Sequence, residues 1–159
     1  MCRLLIDANV WNYFAKARAL GGFLASLEEA PVILPDVVEQ LRLALGKWPG
    51  LNEVVLAVER GAIQASQPTD KETEEAYRIL AAKPGFGLVD CTLLAVCKLR
   101  RWRLLTCDTE MLKTAAKAGI DVVGLAPLLD YAVERGFLST EDHQWVTAYW
   151  HGHTGHRGK

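Results

Sequence analysis

Short apolar segments alternating with longer amphipathic ones predict an α/β protein, a three-layer α/β/α fold with a short parallel sheet of about four to five strands flanked by helices. Three observations carry that expectation. Strand-length apolar runs recur between segments of helical spacing, so successive strands are joined by helical crossovers and run parallel. The chain has 159 residues, about the length of one domain. Half of them are hydrophobic and 23% are charged, enough apolar surface to offset the entropy of ordering the chain and too little charge for disorder.

Residues 3–6 form an apolar run stopped by Asp7 and read as the first strand. Residues 10–19 and 23–30 carry helical spacing, with Gly21 and Gly22 as a break between them. Residues 32–34, bracketed by Pro31 and Pro35, read as a second strand, and a helix over 36–45 is closed by Gly46 and the Trp48, Pro49, Gly50 turn. Helix over 51–60, strand over 62–65 and a charged helix over 70–82 follow, the last with acids clustered in its first turns, where the helix dipole favours them. After the loop 83–87 come an apolar helix over 88–99, a strand over 103–106, a helix over 110–118 ended by Gly119, and a last strand over 121–123. Two helices, 125–135 and 140–150, complete a single domain spanning 1–150, and residues 151–159, HGHTGHRGK, read as a frayed, flexible tail.

No apolar run approaches the ~20 residues of a membrane span, and the first residues lack the charged start, apolar stretch and small-residue cleavage site of a leader. The expectation is a soluble cytoplasmic protein with no membrane partner. Cys2, Cys91, Cys97 and Cys107 form neither a CxxC pair nor a zinc-ligand spacing, and three of them sit in apolar segments, so reduced buried thiols are expected. Eighteen bases against nineteen acids leave a net charge of -1. That balance argues against a protein that grips nucleic acid by bulk charge.

In a parallel sheet the strand C-termini and the N-termini of the following helices share one edge, and ligands bind along it. Asp7 ends the first strand, Glu39 lies early in the helix after the second strand, and Asp108 follows the strand over 103–106. Asp90 joins them because its helix descends ~15 Å and the next strand climbs back. Four carboxylates at one edge raise one another's pKa unless a cation neutralises them, and a hard dication, Mg²⁺ or Mn²⁺, suits oxygen ligands. Each acid also has a purely structural reading. Asp7 caps a turn, Asp36 and Glu39 match a D-x-x-E capping box, Asp90 sits in a helix first turn, and Asp108 serves as an N-cap. Their common edge favours the joint reading.

The order LLIDANVW, LPDVVEQL, VDCTLLAVC, LLTCDTEM resembles the PIN domain, the metal-dependent ribonuclease fold named from the PilT N-terminus that includes the VapC toxins. The matching positions are Asp7 with Asn9, Glu39, Asp90, and Thr106 with Asp108, and the resemblance covers residues 3–124, leaving 125–150 outside the motifs. Ala8 and Cys107 depart from the residues common at their positions without removing a carboxylate. The resemblance implies a metal-dependent endoribonuclease in which Asp7, Glu39, Asp90 and Asp108 are the catalytic and metal-holding residues for one or two Mg²⁺ or Mn²⁺ ions. Asn9 and Thr106 would orient Asp7 and Asp108 by hydrogen bonds. It implies RNA as substrate, 5′-phosphate and 3′-hydroxyl products, self-association as a homodimer, and either an antitoxin protein as partner of a toxin or a stand-alone processing nuclease.

Other features are weighed against that reading. Lys98, Arg100, Arg101 and Arg103 around Trp102 form the densest basic run; it lies at the edge opposite the acids, so cations favoured at a helix C-terminus explain it better than a phosphate contact. His151, His153 and His156 read as solvated rather than as a zinc site, and Trp145 and Trp150 as anchors of the last helix or an oligomer contact. A haloacid dehalogenase type phosphatase would need a carboxylate where Asn9 stands. A catalytically inert PIN-like RNA- or protein-binding module would predict an incomplete acid set. Setting the four site acids aside leaves fifteen acids against eighteen bases, so the charge of -1 averages two opposed regions and does not exclude RNA.

Overall fold

Leu4, Leu5 and Ile6 are buried one after another, as are Leu104, Leu105 and Thr106. Consecutive burial, rather than alternation, marks strands covered on both faces. In the computed structural model, which describes residues 3–158, the strands are β1 (Arg3–Ile6), β2 (Ala30–Ile33), β3 (Gln64–Ala65), β4 (Arg103–Thr106) and β5 (Val122–Gly124). They form one all-parallel sheet in the order β3-β2-β1-β4-β5, as the three-layer reading requires. The helices are α1 (Ala8–Lys16), α2 (Leu20–Ser26), α3 (Pro35–Leu43), α4 (Asn52–Glu59), α5 (Asp70–Ala82), α6 (Leu88–Arg100), α7 (Thr109–Lys117), α8 (Leu125–Glu134) and α9 (Thr140–Trp150).

The chain walks outward from β1 to β2 and β3, crosses back through α5 and α6, and walks outward the other way from β4 to β5. Right-handed crossovers in opposite directions place α1 to α4 on one face and α7 on the other. The direction reverses between β1 and β4, and it is at such a reversal that the connections diverge and leave a crevice at the strand C-termini. α1 anchors its layer through Val10, Trp11, Phe14 and Ala15, all fully buried. Phe14 stacks on Phe23 of α2 at 4.0 Å between ring centres, and Trp11 meets the same ring edge-on at 5.7 Å.

Several boundaries differ from the sequence expectation for local reasons. Gly21 and Gly22 do not break a helix but lie inside α2, which starts at Leu20 and stops at Ser26. A Cβ on Gly22 would stand 2.3 Å from the Phe137 carbonyl oxygen and 2.7 Å from Leu138, so this glycine permits close approach of another segment. Gly21 has open space around the same position. Gly22→Ala should therefore cost about 1–3 kcal/mol by overpacking, whereas Gly21→Ala should stabilise by up to ~1 kcal/mol through helix propensity. Urea midpoints of the two variants, moving in opposite directions, check the pair. β2 begins at Ala30, ahead of Val32, because Pro31 is tolerated where β3 pairs only with Val32 and Ile33. β3 shrinks to Gln64–Ala65 because the Ala62 and Ile63 amides are spent on the Ala57 carbonyl at the end of α4. α1 ends at Lys16 and the chain turns at Arg18, with φ of 56°.

The described part of the expected tail, residues 151–158, is not frayed. His156 stacks on Trp48 at 4.2 Å and its Nε2 meets the Lys47 carbonyl at 3.0 Å. Arg157 donates to the Ala17 carbonyl at 2.7 Å and to Asp142 at 2.6 Å, so it caps the end of α1. The tail is held because an orphan helix carbonyl and an aromatic face are both available to it. Trp145 packs partly buried against the core. Among the described residues no helix is long and apolar enough to cross a membrane. Cys91, Cys97 and Cys107 are free thiols, Cys97 pushed up to about 12 chiefly by burial, while Cys2 lies outside the described residues.

Three of the four cations in the basic run near Trp102 are paired with acids. Arg100 pairs with Glu72 at 2.6 Å, Lys98 with Glu75 at 2.8 Å and Arg103 with Glu29 at 2.8 Å. Arg3 and Arg100 also lie over the Trp102 ring. Lys98 and Arg100 stand in the last turn of α6, and their ion pairs hold them there.

Candidate active site

Three of the four predicted carboxylates meet where β1 and β4 end. Asp7 follows β1, its amide bonds the Leu105 carbonyl of β4 at 3.0 Å, and its side chain is 5% exposed. It occupies the N-cap of α1 but makes no side-chain cap hydrogen bond. The capping explanation therefore fails for Asp7: its Oδ2 instead accepts from the Thr106 hydroxyl at 2.8 Å. The same hydroxyl accepts from the Asp108 amide at 3.1 Å, so one threonine at the end of β4 ties the Asp7 carboxylate to the Asp108 turn.

Asp108 is exposed and does serve as an N-cap, its Oδ1 accepting from the Glu110 and Met111 amides at 2.8 and 3.2 Å. Both bonds use one oxygen. Asp90 lies in the first turn of α6, half-buried.

Electrostatics couples these acids. Burial raises the Asp7 pKa above the usual carboxylate range; the Thr106 hydrogen bond and the Ala8 amide pull it down, while the charges of Asp90 and Asp108 push it further up. Asp90 is likewise raised, first by burial and then by Asp108, against the lowering effect of the Gly87 amide. No basic side chain enters either balance. The N-terminal ends of α1, α6 and α7 all begin at these acids, so the positive ends of three helix dipoles face the same edge.

Glu39 is placed differently from expectation. α3 starts at Pro35 with Leu34 as N-cap, so Asp36 and Glu39 form no capping box and Glu39 falls in the second helical turn. Its carboxylate is exposed and pairs with Arg42 at 3.3 Å. Asn9 is exposed, and no hydrogen bond joins it to Asp7 among the described residues, so of the two expected orienting residues Thr106 makes the contact and Asn9 does not. The sequence reading overlooked Tyr13, a half-buried phenol from α1 beside Asp7 and the Cys107 thiol. Burial, and then Asp7, pushes Cys107 up to about 11, which keeps it a neutral thiol. The departure at Cys107 was the one signal in the sequence that this wall is apolar.

By donor chemistry the three aspartates fit a hard dication: all ligating atoms are oxygens, and their mutual repulsion has no cationic side chain to relieve it. They do not form a ready-made shell. Among the described residues no group of three or more His, Cys, Asp or Glu side chains is gathered closely enough to hold a metal ion.

A parallel sheet with three coupled aspartates at its topological reversal defines an α/β protein with an acidic site at the strand C-termini. The PIN domain family model matches residues 4–117, ending seven residues short of the span on which the resemblance was drawn. The chain belongs to the PIN domain family. Members of this family are generally nucleases that use divalent metals and bind RNA. No curated protein matches the chain.

Proposed function

We propose that this protein is a ribonuclease that hydrolyses RNA phosphodiester bonds with the help of one or two Mg²⁺ or Mn²⁺ ions. Asp7, Asp90 and Asp108 would hold the metal, directly or through water, with Glu39 joining them after leaving Arg42. The observation that carries this reading is Asp7: a carboxylate buried without a cation, held by Thr106, and facing two further acids. A charge so placed costs free energy unless a ligand compensates it.

A bound dication lowers the pKa of a coordinated water and stabilises charge on the phosphoryl oxygens. The chain supplies the rest. Thr106 fixes the rotamer of Asp7 and the turn that presents Asp108, so the acids need little reorganisation when substrate arrives. The buried side of the site, with Tyr13 and Cys107, keeps bulk water off Asp7. The dipoles of α6 and α7, whose positive ends lie at this edge, favour the negative charge that a phosphate brings. Water adds to phosphorus, the bond to the 3′-oxygen breaks, and that oxygen takes a proton, leaving 5′-phosphate and 3′-hydroxyl ends.

The test is cleavage of a labelled single-stranded RNA by the purified protein with Mg²⁺, with Mn²⁺ and with a chelator. Cleavage in both metals, none in the chelator, and a rise in melting temperature on adding Mn²⁺ are expected. Cleavage that survives chelation would sink the mechanism. The pairing of Glu39 with Arg42 favours one rival, an inert module that binds RNA or protein. That reading predicts no cleavage and no Mn²⁺ shift.

A further inference from the structure

We propose that Lys16, Arg18 and Lys47, gathered around Trp48 and His156 at the C-terminal end of α1, form a second contact for the phosphodiester backbone of single-stranded RNA, away from the acids. The inference rests on the ribonuclease reading for its ligand class, and its own geometry is independent of the acid cluster. Lys16 lies over the Trp48 ring at 4.5 Å, and His156 stacks on the same indole at 4.2 Å. Lys16, Arg18, His156 and Arg157 line a small hollow of about 20 Å³, room for a single oxygen atom.

Charge sets this hollow apart. Arg157 is neutralised by Asp142 at 2.6 Å and Glu141 at 3.6 Å. Lys16, Arg18 and Lys47 have no acidic side chain within ion-pair distance among the described residues, in contrast to the paired cations around Trp102. Burial lowers the Lys16 pKa, and the neighbouring Lys47 charge lowers it further, so these like charges are felt and not relieved. The dipole of α1 does not account for the cluster. Its C-terminal carbonyl at Ala17 is already taken by Arg157, and Lys47 arrives from the segment after α3.

An unneutralised group of cations with an aromatic stack beside it is the chemistry that holds a nucleic acid strand: point charges for phosphates, and the outer face of His156 for a base. Lys16 lies about 14 Å along α1 from Asp7. That is about four nucleotides at the 3.4 Å spacing of a stacked strand. A strand reaching from the acids to this cluster would be read by length, not by sequence.

The experiment measures binding of a fluorescent 12-nucleotide single-stranded RNA to the full chain in chelator, where cleavage plays no part. The variant Lys16→Ala/Arg18→Ala/Lys47→Ala should weaken binding about tenfold, and flatten the salt dependence by about two in log–log slope. The control variant Arg60→Ala/Lys71→Ala/Lys117→Ala removes three exposed cations elsewhere and should change affinity by less than about twofold. The pair Arg18→Ala/Lys47→Ala, both exposed, should move affinity in the same direction without touching half-buried Lys16. Equal weakening by cluster and control, absence of RNA binding in the unmodified protein, or equal competition by an acidic peptide of the same length would overturn the proposal. If the cluster variant binds RNA normally while metal-dependent cleavage is present, the second contact fails and the ribonuclease stands. If binding depends on the cluster while no metal supports cleavage, the ribonuclease reading falls and the contact remains.

Discussion

Asp7→Asn should lower metal-dependent RNA cleavage on the order of 10³-fold, since a carboxylate that holds the metal supports several kcal/mol of transition-state stabilisation. The same substitution should make the metal-free protein more stable. Asn keeps an oxygen to accept from Thr106 while removing the charge that burial, Asp90 and Asp108 all oppose. Loss of activity with a gain in melting temperature separates a site residue from a merely structural one, whose removal would lower both.

The pH dependence follows with a definite sign. Asp7 and Asp90 have raised pKa values in the folded state, so between the usual carboxylate range and those raised values the native protein binds more protons than the unfolded chain. Stability falls as pH rises through that window and is flat above it. Asp7→Asn should shrink this fall, and saturating Mn²⁺ should cancel it in the unmodified protein. Thermal melts across pH with and without Mn²⁺ measure both. A melting temperature for Asp7→Asn below that of the parent would contradict the account.

Glu72→Ala should cost about 3–5 kcal/mol of stability, the range for leaving one partner of a buried ion pair alone. Glu72 is 3% exposed and bonds Arg100 through both oxygens, Oε2 to Nε at 2.6 Å and Oε1 to a terminal nitrogen at 2.7 Å. It also closes a capping box with Thr69 at the start of α5. Arg100 continues to the Ser66 hydroxyl and the Gln67 carbonyl, so this pair joins the bottom of α6 to the exit of β3. Burial would raise the Glu72 pKa, but the Arg100 hydrogen bonds and charge, with the Thr69 amide, outweigh it and hold the group below its usual value. Its contribution is therefore present above the unfolded carboxylate pKa and is lost as pH falls through the lowered folded value. Urea denaturation at neutral pH checks the cost. The double variant Glu72→Leu/Arg100→Met should recover most of it, because the remaining charge is then gone as well.

Much of this was legible in the residues. β1, α5, β4 and α9 have the bounds read from hydrophobic patterning, because each is delimited by a residue that changes chemistry sharply: Asp7, Thr69, the Arg101 turn, Ser139. The convergence of Asp7, Asp90 and Asp108 followed from topology alone, since strand ends and helix starts share an edge. What was hidden depends on partners far along the chain. Gly22 resembles a helix breaker until the Phe137 carbonyl is seen beside it. Glu39 falls at the spacing of a capping box, yet Pro35 takes the first helical position and moves the helix start forward. Residues 151–158 carry no periodicity, and only the free carbonyl at Ala17 and the face of Trp48 show why they dock.

The hydrogen bond between Thr106 and Asp7 joins positions 99 residues apart. During synthesis β1 emerges early and waits, because the strand that completes its other side and the hydroxyl that aims its carboxylate are made much later. The acid edge is therefore assembled late in folding: Asp7 gains its hydroxyl partner only when β4 pairs with β1, so the centre of the sheet and the aim of this carboxylate form in one step.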